Sequence, residues 1–122
     1  MSTTYKFIKD ILLNNGFQIY EYDSRIRSLL GHLVVYKNIL GVVEGKYKIH
    51  WKYNEEKDLS EINITIYNVN KALLDDVLDV LEDEGVIGEI VDNNIYAKIK
   101  CDGKTSISKI RKLVSLLKGI HD

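Results

Sequence analysis

The stretch that decides the fold is KYKIHWKY, residues 46–53, read together with EINITIY, residues 61–67. Successive side chains of a strand point to opposite faces. The first segment therefore sorts Tyr47, Ile49, Trp51 and Tyr53 onto one side and Lys46, Lys48, His50 and Lys52 onto the other. In the second, Ile62, Ile64 and Ile66 alternate with Glu61, Asn63, Thr65 and Tyr67, and the β-branched residues keep one register. A short charged segment, residues 54–59, joins the two, which predicts an antiparallel pair with one apolar and one basic face.

Downstream, Asn70 is a helix N-cap residue, Leu73, Leu74, Val77, Leu78 and Leu81 form an apolar stripe, and Gly85 closes it. The outward side of this helix carries Asp75, Asp76, Asp79, Glu82 and Asp83. Residues 86–91 and 94–101 read as a hairpin turned by Asp92, Asn93 and Asn94. Its second strand puts Ile95, Ala97, Ile99 and Cys101 on one face and Tyr96, Lys98 and Lys100 on the other. Thr105 or Ser106 can cap a last helix with the stripe Ile107, Ile110, Leu113, Val114 and Leu117, ended by Gly119.

Upstream, Tyr5, Ile8, Ile11 and Leu12 make a first helix of about three turns, ended by Gly16. Residues 17–22 read as a strand from their aromatic and β-branched content. Residues 24–32 read as a short helix capped by Ser24, with strand-like alternation of Arg25 and Arg27 as the competing pattern. Residues 33–36 and 40–44 read as a hairpin broken at Lys37 and Asn38.

These elements predict a single α+β domain over residues 1–122, an antiparallel sheet with its helices packed on one face. From residue 61 to residue 119 the order is strand, helix, strand, strand, helix, ferredoxin-like, preceded by a helix and additional strands. The right-handed crossover rule places the strands in the order 46–53, 61–67, 94–101, 86–91. One surface then collects Lys46, Lys48, His50, Lys52, Tyr67, Tyr96, Lys98 and Lys100 beside Thr65. In its element order the chain also resembles the small secretion chaperones, whose helices and strands run helix, three strands, helix, two strands, helix. That resemblance implies a homodimer holding a partner polypeptide.

Composition narrows the function. The hydrophobic fraction is 45% and the charged fraction 29%, which argues against disorder, and one cysteine among 122 residues excludes an internal disulfide and multi-cysteine zinc patterns. The start of the chain is polar and its first helix charged, so no signal-like or membrane-spanning stretch is read and a cytoplasmic location is expected. Net charge is −1, yet residues 71–92 hold eight acids and one lysine while residues 98–118 hold seven basic residues and one acid. Such segregation would also let the acidic helix of one copy meet the basic sheet or last helix of another.

The candidate chemistry is sparse. Asp75, Asp79 and Glu82 share a helix face, but a metal needs ligands converging from other elements, so they read as a solvated face. Cys101 falls in the buried register and reads as a core residue, as does Trp51. His32, His50 and His121 are scattered, and no phosphate loop, nucleophile elbow or metal motif is present. No cofactor, small-molecule substrate or membrane partner is implied. The expectation is a non-enzymatic binding module or adaptor that engages a protein partner or a second copy of itself, since net charge near zero counts against a strong polyanion binder. The alternative is single-stranded nucleic-acid binding, RNA in particular, through the basic face, with bases stacked on Tyr67 and Tyr96. Residues 17–44 discriminate: if they leave the face open they favour nucleic acid, and if they cover it they favour the adaptor.

Overall fold

A computed structural model describes residues 3–120. In chain order its elements are α1 (Thr3–Asn14), β1 (Gln18–Arg27), β2 (Leu33–Val43), β3 (Tyr47–Asn54), β4 (Leu59–Ile66), α2 (Leu74–Asp83), β5 (Ile87–Val91), β6 (Asn94–Cys101) and α3 (Gly103–Ile120). The strands form one sheet in the order β1-β2-β3-β4-β6-β5, with every neighbouring pair antiparallel. The deciding pair is in register as its alternation requires: Ile49 stands opposite Ile64 and Trp51 opposite Ile62.

The apolar registers of β3, β4 and β6 face the helices. Ile49, Trp51, Ile62, Ile64, Ile66 and Ile95 are fully or almost fully buried against Ile8 and Leu12 of α1 and Ile110, Leu113 and Leu117 of α3. Trp51 sits at the centre of this core. Its ring stacks on Tyr53 at 4.9 Å between centroids, and its indole N–H donates to Ser60 Oγ at 3.1 Å and to Ser106 Oγ at 3.2 Å. A buried indole N–H without an acceptor would cost about 1–3 kcal/mol, so two hydroxyls are spent inside the core to hold it.

Ser106 is therefore a core residue and not a helix cap. Asp102 caps α3 instead, its carboxylate accepting the Thr105 backbone N–H at 2.6 Å. That interaction holds the Asp102 carboxyl below the ordinary carboxylate range. Asn70 does cap, accepting the Ala72 N–H in a 3₁₀ turn that leads into α2. Gly88 on β5 lets α2 approach closely: a Cβ there would lie 2.8 Å from Leu78 Cδ1 and 3.0 Å from Ala97 Cβ.

Residues 17–44 depart most from expectation. No helix forms over residues 24–32. Residues 24–27 complete β1, paired through Arg25↔Val35 and Arg27↔Leu33. The turn that follows is closed by Ser28, which exchanges bonds with His32 (backbone N to carbonyl 2.8 Å, His32 N–H to Ser28 Oγ 3.1 Å), while Gly31 takes the left-handed conformation. Nor is there a break at Lys37 and Asn38. Strand β2 runs through them because both neighbours supply polar partners. Lys37 meets Asp23 at 3.3 Å, and the Asn38 amide, almost fully buried, donates to Ser24 Oγ at 3.0 Å and faces His50 at 2.8 Å.

The four strands β1–β4 thus follow one another as a meander. This order does not establish a ferredoxin-like unit, since the place beside β4 that a strand after α3 would take there is held by β3. Four strands, not three, precede α2, which also separates the chain from the secretion-chaperone order. Residues 33–36 of β2 pair with β1 but have no partner on β3, so the end of the β1–β2 hairpin projects as an arm. Its tip carries Leu29 and Leu30, both almost wholly exposed.

Candidate functional site

Among the described residues, the second face of the sheet bears no helix. Residues 17–44 widen it by two strands and leave it uncovered. Cross-strand registers place the predicted residues in rows. Lys48 on β3, Thr65 on β4 and Tyr96 on β6 form one row, His50, Asn63 and Lys98 the next, and Lys52, Glu61 and Lys100 the third. Lys46 precedes β3 and Tyr67 follows β4 at one end of these rows, joined by a backbone bond from Tyr67 N–H to the Lys46 carbonyl at 2.8 Å. Six of the residues expected on the basic face, Lys48, His50, Lys52, Tyr96, Lys98 and Lys100, therefore share one face by register, with Lys46 and Tyr67 at its end.

Neighbouring strands lie about 4.8 Å apart, so the lysines of β3 and those of β6 stand about 10 Å apart across β4. Strand β4 itself contributes the short side chains Asn63 and Thr65 between them, with Glu61 at one end. The result is a shallow trough flanked by two columns of lysine. Two depressions mark it. One of about 390 Å³ touches Asn63, Thr65, Tyr96, Lys98, Ile87 and Glu89. The other, of about 270 Å³, touches Tyr36, Lys52, Asn54, Leu59, Glu61 and Lys100.

Electrostatics refine the site. Five lysines (Lys46, Lys48, Lys52, Lys98 and Lys100) face two carboxylates, Glu61 and Glu89. His50 does not add a sixth cation. Burial, then the neighbouring Lys52, lower its pKa against the opposing pull of Glu61, so the ring is neutral at neutral pH. Its Nε2 lies 2.8 Å from Asn38 Oδ1 and 3.2 Å from the Tyr22 hydroxyl, and its ring stacks on Tyr22 at 6.1 Å and 9°. His50 is thereby a fixed polar link between β1, β2 and β3. Lys52 is held differently, its ammonium 4.3 Å from the centre of the Tyr36 ring.

Tyr20, Tyr22 and Tyr36 are additions that the sequence reading did not place here. The signal was present as alternation in residues 18–26, where Gln18, Tyr20, Tyr22, Ser24 and Ile26 share a register. It was obscured because both faces of that strand mix polar with apolar residues, so periodicity alone had no buried side to lock onto.

The remaining singled-out residues stay outside this surface. Cys101 is half-buried on the helix side of β6, and burial pushes its thiol up, away from the thiolate. His32 lies in the arm, and His121 lies outside the described residues. Among the described residues no three His, Cys, Asp or Glu side chains converge as a metal site would, and no helix is long and apolar enough to cross a membrane. Compared with family models, curated proteins and solved structures, the chain has no match.

Proposed function

We propose that the chain is a non-enzymatic module that binds single-stranded nucleic acid along the trough over β4. The observation that carries this reading is the placement of residues 17–44 beside the basic face and not over it. In this reading the two lysine columns contact phosphates, and Tyr96, 40% exposed, and Tyr67 offer ring faces to bases. A shallow, open trough between two columns of lysine fits an extended polyanion better than a small substrate. Sheet-based readers of single strands use the same division of labour, with charge holding the backbone and aromatics holding bases.

The test is titration of fluorescent single-stranded RNA and DNA at low salt, with Lys48→Glu and Lys98→Glu combined as the variant. Those two residues lie on opposite sides of the trough, in adjacent rows. Binding that weakens with salt and is lost in the variant, with the fold retained by circular dichroism, supports the proposal; no binding by the wild type sinks it. A protein partner is the second reading. It is favoured by a different feature, the unpaired outer edge of β1 and the exposed leucines of the arm beside it.

A further inference from the structure

The outer edge of β1 is long and open. Ten residues, Gln18–Arg27, pair with β2 on one side and, among the described residues, with no strand on the other. Such an edge is a template for another strand, and proteins blunt it with proline, a bulge or charged side chains. β1 has neither proline nor bulge, since its sequence is QIYEYDSRIR and its pairing with β2 is continuous. What it carries is a charge pattern. On the helix side of the strand lie Glu21, Asp23, Arg25 and Arg27, opposite Ile39, Lys37, Val35 and Leu33 of β2. Two acids are followed by two arginines, with Ser24 in the middle on the other face.

We infer that β1 pairs with β1 of a second copy of this chain, antiparallel about a twofold axis through Ser24. An axis normal to the sheet relates two such edges, and directly opposed residues then share a face. With Ser24 opposite itself, Asp23 faces the partner's Arg25, Glu21 faces the partner's Arg27, and Tyr22 faces the partner's Ile26. Every charge meets its opposite. Sliding the register by two residues in either direction sets Asp23 or Arg25 against its own copy. A slide of four sets Glu21 against the partner's Asp23, or Arg25 against the partner's Arg27. Like charges directly opposed destabilise a strand pair, so one register is selected.

The side chains are available for this contact. Arg25 has no ion pair or hydrogen bond among the described residues, and Arg27 donates to the Gly31 carbonyl at 3.1 Å. Glu21 accepts from the Tyr5 hydroxyl at 2.6 Å and meets Lys9 at 3.3 Å, and Asp23 meets Lys37 at 3.3 Å. Each carboxylate has about four acceptor positions, so both keep room for an arginine. Tyr22 and Ile26, 47% and 48% exposed, would cover one another on the open face. The same register carries the arm alongside the first half of the partner's β1 and brings Leu29 and Leu30 toward its start. The product is one twelve-stranded sheet, with all helices on one side and the two lysine troughs on the other.

The experiment uses the full chain without nucleic acid. Light scattering is expected to give twice the monomer mass for the wild type and the monomer mass for Arg25→Glu with Arg27→Glu. Glu21→Arg with Asp23→Arg is expected to be monomeric alone and to form a mixed dimer with the first variant, because all four positions again face opposite signs. Independently, Ser24→Cys in a Cys101→Ser background is expected to oxidise to a covalent dimer, since directly opposed Cα atoms lie about 4.5–5.5 Å apart, within disulfide reach. Tyr22→Cys in that background is expected not to cross-link, its own copy being about 13 Å away along the strand. The cysteine pair decides the matter should a charge variant fold poorly. A wild-type monomer at high micromolar concentration, or a dimer that survives the arginine reversal and cross-links at Tyr22 in preference to Ser24, would overturn the inference. Neither outcome depends on nucleic-acid binding.

Discussion

Glu61 is the one carboxylate directly between the lysine columns, opposite Lys52 on β3 and Lys100 on β6. If the trough binds a phosphate chain, the charge of Glu61, which forms no ion pair with either lysine among the described residues, works against contacts at Lys52 and Lys100, and Lys46, Lys48 and Lys98 are left to make them. Single-stranded binding falls with salt at about 0.7 of the number of phosphates neutralised, so three contacts give a log–log slope of about −2 and about a 20-fold loss between about 50 and 200 mM salt. Glu61→Gln frees Lys52 and Lys100. Five contacts give a slope of about −3.5 and about a 130-fold loss over the same range, with tighter binding at the low-salt end. Stability should move the other way. The half-buried Lys52 and the exposed Lys100, about 10 Å apart, lose the acid between them, which costs roughly 1 kcal/mol or less in high dielectric. Fluorescence anisotropy over a salt series, beside urea unfolding, reads both quantities. A variant that binds no better at low salt, or whose slope equals that of the wild type, refutes the assignment of the trough, because general damage to the sheet would lower affinity and stability together.

The remaining predictions concern the scaffold and its pH response. Ser60→Ala and Ser106→Ala each leave the Trp51 indole one acceptor and should cost about 1 kcal/mol, whereas the double variant orphans it and should cost about 1–3 kcal/mol more than the sum of the singles. Urea unfolding followed by the fluorescence of this single tryptophan measures this, and strictly additive singles would refute the shared-acceptor account. His50 has a folded pKa below its ordinary value, so the unfolded chain takes the proton first. Its contribution to stability is complete above the ordinary histidine pKa and declines as pH falls from there toward the folded value. His50→Gln, which keeps a polar partner for Asn38, should flatten the urea midpoint between about pH 6.5 and the onset of carboxylate titration. An unchanged pH profile would place the titrating group elsewhere.

What the sequence by itself determined is the core and one face of the central sheet. Alternation in residues 46–53 and 61–67 was unambiguous because one register is wholly apolar, and a slip of one residue would have turned Trp51 and three isoleucines to water. The order of β3, β4, β6 and β5 followed from that pairing and a single crossover through α2. Lys98 and Lys100 joined Lys48 and Lys52 for the same reason, since fixing the apolar side of a strand fixes its polar side.

What only the tertiary structure decided is the extent and placement of the strands in residues 17–44, read in sequence as shorter, broken segments, and the caps that depend on distant partners. Strands β1 and β2 have no clean apolar register, and Lys37 and Asn38 read as a break until Asp23, Ser24 and His50 arrive from other strands to satisfy them. Ser106 read as a cap because local spacing permits it, while the buried Trp51 indole claimed its hydroxyl and left capping to Asp102. A sheet edge, too, is a tertiary property: whether a strand is the last in its sheet depends on which strand lies beside it. The charge order of Glu21, Asp23, Arg25 and Arg27 acquires its meaning only because β1 is that last strand, with its outer hydrogen-bonding groups left to a partner.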